Sequence, residues 1–161
     1  MSYTIAIIGR PNVGKSTFFN RLLEERKAIT DDFSGVTRDR QYGISTWNGK
    51  TFNVIDTGGF VSHTDDIFEK AIRSQVRLAI QEADLMVLMV DVTTGITDLD
   101  ESLTQELRKS KKPVIVAVNK VDNTERSYAA NEFYSLGIEH VFALSSMSGS
   151  GTGEILDFIT E

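Results

Sequence analysis

The sequence has no cysteine. That excludes a disulfide scaffold and any thiolate-ligated metal centre, and it fits an intracellular protein. Only two histidines are present, His63 and His140, which argues against a zinc site. Positive charge is in short supply: 17 Lys+Arg stand against 23 Asp+Glu, a formal net charge of -6. A nucleic-acid grip by this chain alone is therefore not expected, because it needs Lys and Arg clustered on one face. Long hydrophobic runs are missing too. The longest, Leu85 to Val90, is six residues, whereas a membrane-spanning helix needs about 20. No basic leader precedes Tyr3-Thr4-Ile5-Ala6-Ile7-Ile8, so a secretory signal is not expected and a cytoplasmic location is. We find no internal repeat, low-complexity tract or linker.

What is present is a core-sized share of apolar residues, 40% of 161, enough for one domain. Short apolar runs alternate with longer amphipathic ones. Ile5–Ile8, Leu85–Val90 and Val114–Val118 are near-continuous, the signature of strands buried on both faces in a mostly parallel sheet. Helical spacing links Ile67, Ala71, Val76, Ala79, Ile80 and Ala83, and again Leu99, Leu103 and Leu107. Pro113 blocks helix before the next strand. Tyr42–Trp47 and Thr51–Ile55 flank Asn48-Gly49, a type I′ hairpin signal that predicts an antiparallel pair at a sheet edge. The stretch from Arg26 to Gln41 shows no period and reads as a long loop, of the kind that is functional or mobile. A second loop is expected over Gly58–Asp66, and a last helix from about Gly153 to the end at Glu161.

Gly9-Arg10-Pro11-Asn12-Val13-Gly14-Lys15-Ser16 fits G-x-x-x-x-G-K-[ST], followed by Thr17. Glycines let backbone N–H groups wrap a phosphate chain without Cβ clashes, and the helix opening at Ser16 aims its positive end there. Lys15 is expected on the β and γ phosphates and the Ser16 hydroxyl on Mg2+. The motif follows a strand and precedes the apolar Phe18–Leu23 helix, which is the required context. Asn119-Lys120-Val121-Asp122 ends the Val114–Val118 strand, where open α/β sheets place ligands. The Asp122 carboxylate can accept from the N1–H and 2-amino group of guanine; adenine has neither donor, and the mismatch costs about 1–3 kcal/mol. Asp56-Thr57-Gly58-Gly59 ends the third strand, with Asp56 a candidate for the Mg2+ and the Gly59 N–H for the γ-phosphate. Thr37 is the candidate to close the metal shell, with Thr30 a rival.

These residues resemble the guanine-nucleotide-binding G domain of the Ras-like superfamily, in its Era-like branch. Gly35-Val36-Thr37-Arg38-Asp39-Arg40 reads as the first switch and Asp56-Thr57-Gly58-Gly59 as the second. With Gln75, Ala79–Asp84 and Val90-Asp91, the likeness narrows to the first G domain of a bacterial ribosome-assembly GTPase family and covers essentially the whole chain. The resemblance implies an α/β P-loop NTPase fold: a six-stranded, mostly parallel sheet with one antiparallel edge strand and helices on both faces. It implies that residues 1–161 form a single GTP-binding domain, a fragment of a larger protein with a second G domain and a KH-like domain. It implies GTP/GDP and Mg2+ as ligands, the large ribosomal subunit as partner, and a monomer. Ser145, Ser146 and Met147 would form the base-contacting loop, where the family usually has Ser-Ala. The Ser146 N–H would then serve the guanine O6. Ser34 replaces a frequent proline before the first switch.

A glutamine after the second switch orients water in Ras-like proteins; here that position is Phe60. Slow intrinsic hydrolysis is therefore expected. In Era-like relatives with the P-loop asparagine, a potassium ion sits beside the phosphates, so Asn12 is the candidate K+ ligand and Lys15, Asn12, Thr37 and Gly59 are the catalytic set. Arg10 and Arg38 are alternatives as fingers, a solvated surface role being the simpler reading of both, as it is of His63. The rival function is a nucleotide-sensing binding module with negligible hydrolysis. A small-molecule kinase would leave Asn119-Lys120-Val121-Asp122 unexplained.

Overall fold

The computed structural model describes residues 3–10, 13–24, 41–57, 74 and 76–160. Six strands form one sheet in the order β2-β3-β1-β4-β5-β6. The strands are β1 (Tyr3–Ile8), β2 (Gln41–Trp47), β3 (Lys50–Asp56), β4 (Leu85–Asp91), β5 (Val114–Asn119) and β6 (Val141–Ala143). The helices are α1 (Lys15–Glu24), α2 (Asp98–Lys109), α3 (Thr124–Ala129) and α4 (Thr152–Thr160), with a 3-10 turn over Ala130–Leu136. Residues 76–82 are helical as well.

The hairpin forms as the sequence predicts. Asn48 and Gly49 take φ of 53° and 78°, the two left-handed positions of a type I′ turn. β2 pairs antiparallel with β3 at the sheet edge, and every other pairing is parallel. Gln41, read from sequence as the end of a loop, is the first residue of β2. Ladder pairing opposite Asp56 takes it into the strand.

All seven residues of β4 are buried, as are the last four of β1. Their alternation sorts the core into two layers. Ile5, Ile7, Val87, Met89 and Ile115 face α1 and α4, meeting Phe18, Phe19, Leu22, Ile155 and Ile159. Ala6, Ile8, Leu88, Val90 and Val116 face the other side, meeting Val76, Ala79, Leu103, Leu107 and Phe133. Helices therefore cover both faces, and each buried Phe or Leu contributes about 1.5–3 kcal/mol. Leu103 and Leu107 are the buried positions of the predicted Leu99, Leu103, Leu107 repeat, which lies on α2. Ile67 and Ala71, read as part of an earlier helical stripe, lie outside the described residues.

β1 has β3 on one side and β4 on the other. The connections thus leave β1 in opposite directions, and a crevice opens at its carboxyl end. Gly9, Asp56, Asp91 and Asn119 all stand at or just past strand ends on that rim.

Candidate nucleotide-binding site

The loop from β1 to α1 is fitted to its neighbours at both of its glycines. A Cβ on Gly9 would lie 2.5 Å from the Met89 carbonyl oxygen. Gly14 has φ of 103°, and a Cβ there would stand 2.0 Å from Asn119 Nδ2. Only glycine gives the backbone both the left-handed conformation and the room.

Lys15 opens α1 and is buried. Its Nζ donates to the carbonyls of Gly9 and Arg10, each at 2.7 Å. Burial pulls the ammonium down from 10.5 to about 8; the Asp56 carboxylate opposes that and the Arg10 guanidinium adds to it. The Ser16 hydroxyl donates loosely to Asp56 Oδ2 at 3.4 Å. A hydroxyl and a buried carboxylate at this spacing are hard oxygen donors, the chemistry that Mg2+ takes. Among the described residues no cluster of three His, Cys, Asp or Glu could hold a metal. Thr57 fixes the end of β3, its Oγ1 donating to the Ile7 carbonyl at 2.9 Å.

Asn119 joins three segments. Its Nδ2 donates to the Val13 carbonyl at 2.8 Å, and its Oδ1 accepts from the Ser146 N–H at 2.8 Å. The Ser146 N–H, expected to face a base, is thus engaged by Asn119, because the loop after β6 is tied directly to the end of β5. Lys120 follows at φ of 67°, its Nζ 2.7 Å from Asp91 Oδ2. Burial pushes the Asp91 carboxyl up, but hydrogen bonds from Lys120 and Thr93 outweigh it and hold the group below its usual range. The Val121 N–H donates to the Leu144 carbonyl at 3.0 Å. Asp122 is half exposed and paired with Arg126 at 3.1 Å, and the same guanidinium donates to the Lys120 carbonyl. Ser145 is buried, its carbonyl accepting from the Gly149 N–H at 2.8 Å; Met147 is exposed.

Two arginines hold this site, and local sequence patterns reveal neither role. Arg10 Nε donates to Asp100 Oδ1 at 3.0 Å, and its Nη2 to Thr94 Oγ1 at 2.7 Å. Asp100 is fully buried. Arg10 is therefore not the solvated residue that its position in a loop suggests; a buried carboxylate claims it. Arg21, on α1, donates from Nε to the Ser146 carbonyl at 2.6 Å and from Nη2 to the Met147 carbonyl at 2.7 Å. The only foretaste of the Arg126 clip is its i, i+4 spacing from Asp122.

The structure thus brings together Gly9, Arg10, Val13, Gly14, Lys15, Ser16, Thr17, Asp56, Thr57, Asn119–Asp122 and Ser145–Met147 at one end of the sheet. Pro11, Asn12, Thr30, Thr37, Arg38, Gly58, Gly59, Phe60 and His63 lie outside the described residues. No helix among the described residues is long and apolar enough to cross a membrane.

A family described as 50S ribosome-binding GTPase matches residues 4–120. The chain is 58% identical over all its 161 residues to GTPase Der of Christiangramia forsetii, covering 37% of that protein. It is 59% identical over 157 residues, 98% of its length, to GTPase Der of Flavobacterium johnsoniae, covering 36% of that protein. The chain therefore spans little more than a third of the curated relatives it matches. Among solved structures, it resembles Era in complex with MgGDPNP and a 16S ribosomal RNA segment, with a TM-score of 0.78, 28% identity, and coverage of 98% of this chain and 55% of that one. It also resembles the G domain of the T. maritima FeoB iron transporter, with a TM-score of 0.69, 30% identity, and coverage of 99% and 98%.

Proposed function

Because the chain belongs to the family of 50S ribosome-binding GTPases, we propose that the rim site binds GTP and GDP and that hydrolysis there switches the domain between two states. The observation that carries this reading is Asn119. One buried side chain ties the Val13 carbonyl of the phosphate loop to the Ser146 N–H of the loop after β6. A site so built holds phosphates and base in fixed relation.

Lys15 leaves the Gly9 and Arg10 carbonyls for the β and γ phosphates. Those carbonyls hold it poised, and the arriving anions restore its charge. Gly14 and α1 turn backbone N–H groups to the same phosphates. Asp122 accepts from guanine N1–H and the 2-amino group, exchanging Arg126 for the base. Ser16 and Asp56 would hold Mg2+, with Thr37 closing its shell. When bound, that ion would supply charge neutralisation at the phosphates. Gly59 would meet the γ-phosphate and Asn12 a K+ ion, so that loss of the phosphate releases Thr37 and Gly59 together. Phe60 in place of a water-orienting residue makes the intrinsic rate slow.

The chain works as one G domain of a longer cytoplasmic protein with a second G domain and a KH-like domain. The 37% coverage of GTPase Der supports that reading. In it, the partner is the large ribosomal subunit during its assembly.

The test is phosphate release from GTP with Mg2+ in KCl and in NaCl at equal ionic strength, beside competition by GDP and ADP. Faster turnover in KCl, lost in Asn12→Ala, supports the whole reading. Equal rates remove the potassium step. Tight GTP binding without turnover in either salt replaces the switch by a nucleotide-sensing module. Competition by ADP as strong as by GDP overturns guanine recognition.

A further inference from the structure

The loop after β6 has two sides. On one, the carbonyls of Ser146 and Met147 point to a single guanidinium, at 2.6 and 2.7 Å from Arg21 Nε and Nη2. On the other, the Ser146 N–H points to Asn119 Oδ1. No cis peptide bond occurs among the described residues. In a trans peptide the carbonyl of one residue and the N–H of the next point in opposite directions. Holding the Ser146 carbonyl therefore turns the Met147 N–H away from α1.

The fit of the arginine is close. Gly149 has φ of 88°, and a Cβ there would stand 2.7 Å from Arg21 Nη1. The loop thus folds around the guanidinium with glycine where a Cβ would collide with it. A planar fork with donors on two nitrogens suits two neighbouring carbonyls, and an ammonium does not. Arg21 lies on the helix whose first turn holds Lys15 and Ser16, so the same rigid element bears on both halves of the site.

We infer that Arg21 is a positioning residue for the base: by fixing the Ser146 carbonyl on the α1 side, it turns the Met147 N–H toward the guanine 6-oxo group. The inference rests on the nucleotide reading above. It assigns the Met147 N–H as the donor to O6, since the Ser146 N–H is engaged by Asn119.

The experiment uses Arg21→Gln and Arg21→Lys in the full chain, with folding checked by thermal melting. Affinities are measured at pH 7 for GDP, IDP and 6-thio-GDP. IDP keeps the 6-oxo group and N1–H but lacks the 2-amino group; 6-thio-GDP keeps N1–H and the amino group but offers a weak sulfur acceptor. The expected result is a loss of about 10-fold for GDP and IDP alike, with 6-thio-GDP nearly unchanged. If Arg21→Gln does not fold, Arg21→Lys decides, since it keeps the charge and loses the fork. An equal loss for all three nucleotides, or no loss, overturns the inference while leaving guanine binding intact. A wild-type chain that holds GDP no better than ADP removes the guanine reading itself, and the inference with it.

Discussion

Arg10 and Asp100 stand 90 residues apart in sequence and 3.0 Å apart in space. Asp100 uses both carboxylate oxygens. Oδ1 accepts from Arg10, and Oδ2 accepts from the Thr97 N–H to complete the capping box of α2. The carbonyl of Arg10 meanwhile accepts from Lys15 Nζ. The loop from β1 to α1 is thereby braced against the start of α2.

The two partners of that pair should not be equivalent. Arg10→Ala leaves a fully buried carboxylate without its cation and should cost about 3–5 kcal/mol. Asp100→Asn keeps an acceptor for Thr97 and frees an arginine that is already 17% exposed, so it should cost only about 1–2 kcal/mol. Urea unfolding at pH 7 measures both. Equal losses would show that the buried charge is not what matters.

Lys15 gives a prediction in pH. Its folded value of about 8 lies below the ordinary 10.5. The unfolded chain thus binds more protons between those values, and this group makes the ligand-free protein more stable as pH rises across the window. Phosphate binding should restore the proton. Calorimetry of GDP binding at pH 8.5, in buffers of different ionisation enthalpy, should show net proton uptake. Lys15→Met should abolish the uptake and flatten the stability rise.

The sheet was legible because its signals are local. Continuous apolar runs gave β1, β4 and β5; Asn48-Gly49 gave the β2–β3 hairpin; Gly14-Lys15-Ser16 after a strand gave the start of α1. The fixtures of the site were not legible. Arg21 reaches across 125 residues to Ser146, and Arg10 across 90 to Asp100. Periodicity cannot pair residues at such separations; the strand order β1-β4-β5-β6 brings them together. Asn119 was assigned from its motif, yet its hold on Ser146 depends on β5 and β6 being neighbours.

Asp91 and Lys120 supply an acid-side prediction. Lys120 sits in left-handed backbone at φ of 67°, and Asp91 holds its ammonium at 2.7 Å. The folded Asp91 carboxyl lies below its ordinary 3.8. Its contribution is fully present above that ordinary value and is lost as pH falls through the depressed one. Asp91→Asn should therefore flatten the acid limb of the stability curve. At neutral pH it should cost about 1–2 kcal/mol, toward the lower figure because Lys120 is partly in water. Urea midpoints from pH 2 to 7 check it.

Gly14 provides the sharpest test of how the site is assembled. An alanine there meets two obstacles, the backbone φ of 103° and the Asn119 amide 2.0 Å from its Cβ. Backbone strain alone is worth about 1–3 kcal/mol. Displacing Asn119 adds the loss of its bonds to Val13 and Ser146, which hold the β1–α1 loop and the loop after β6 together. Gly14→Ala should thus weaken GDP binding by at least about 100-fold, near 3 kcal/mol. The two obstacles separate in a double-mutant cycle. In an Asn119→Ala background the steric obstacle is gone and only strain remains, so Gly14→Ala should destabilise by at least about 1 kcal/mol less there than in the wild type. Equal costs in the two backgrounds, read from urea unfolding, would mean that the backbone conformation alone requires glycine and that its approach to Asn119 is incidental.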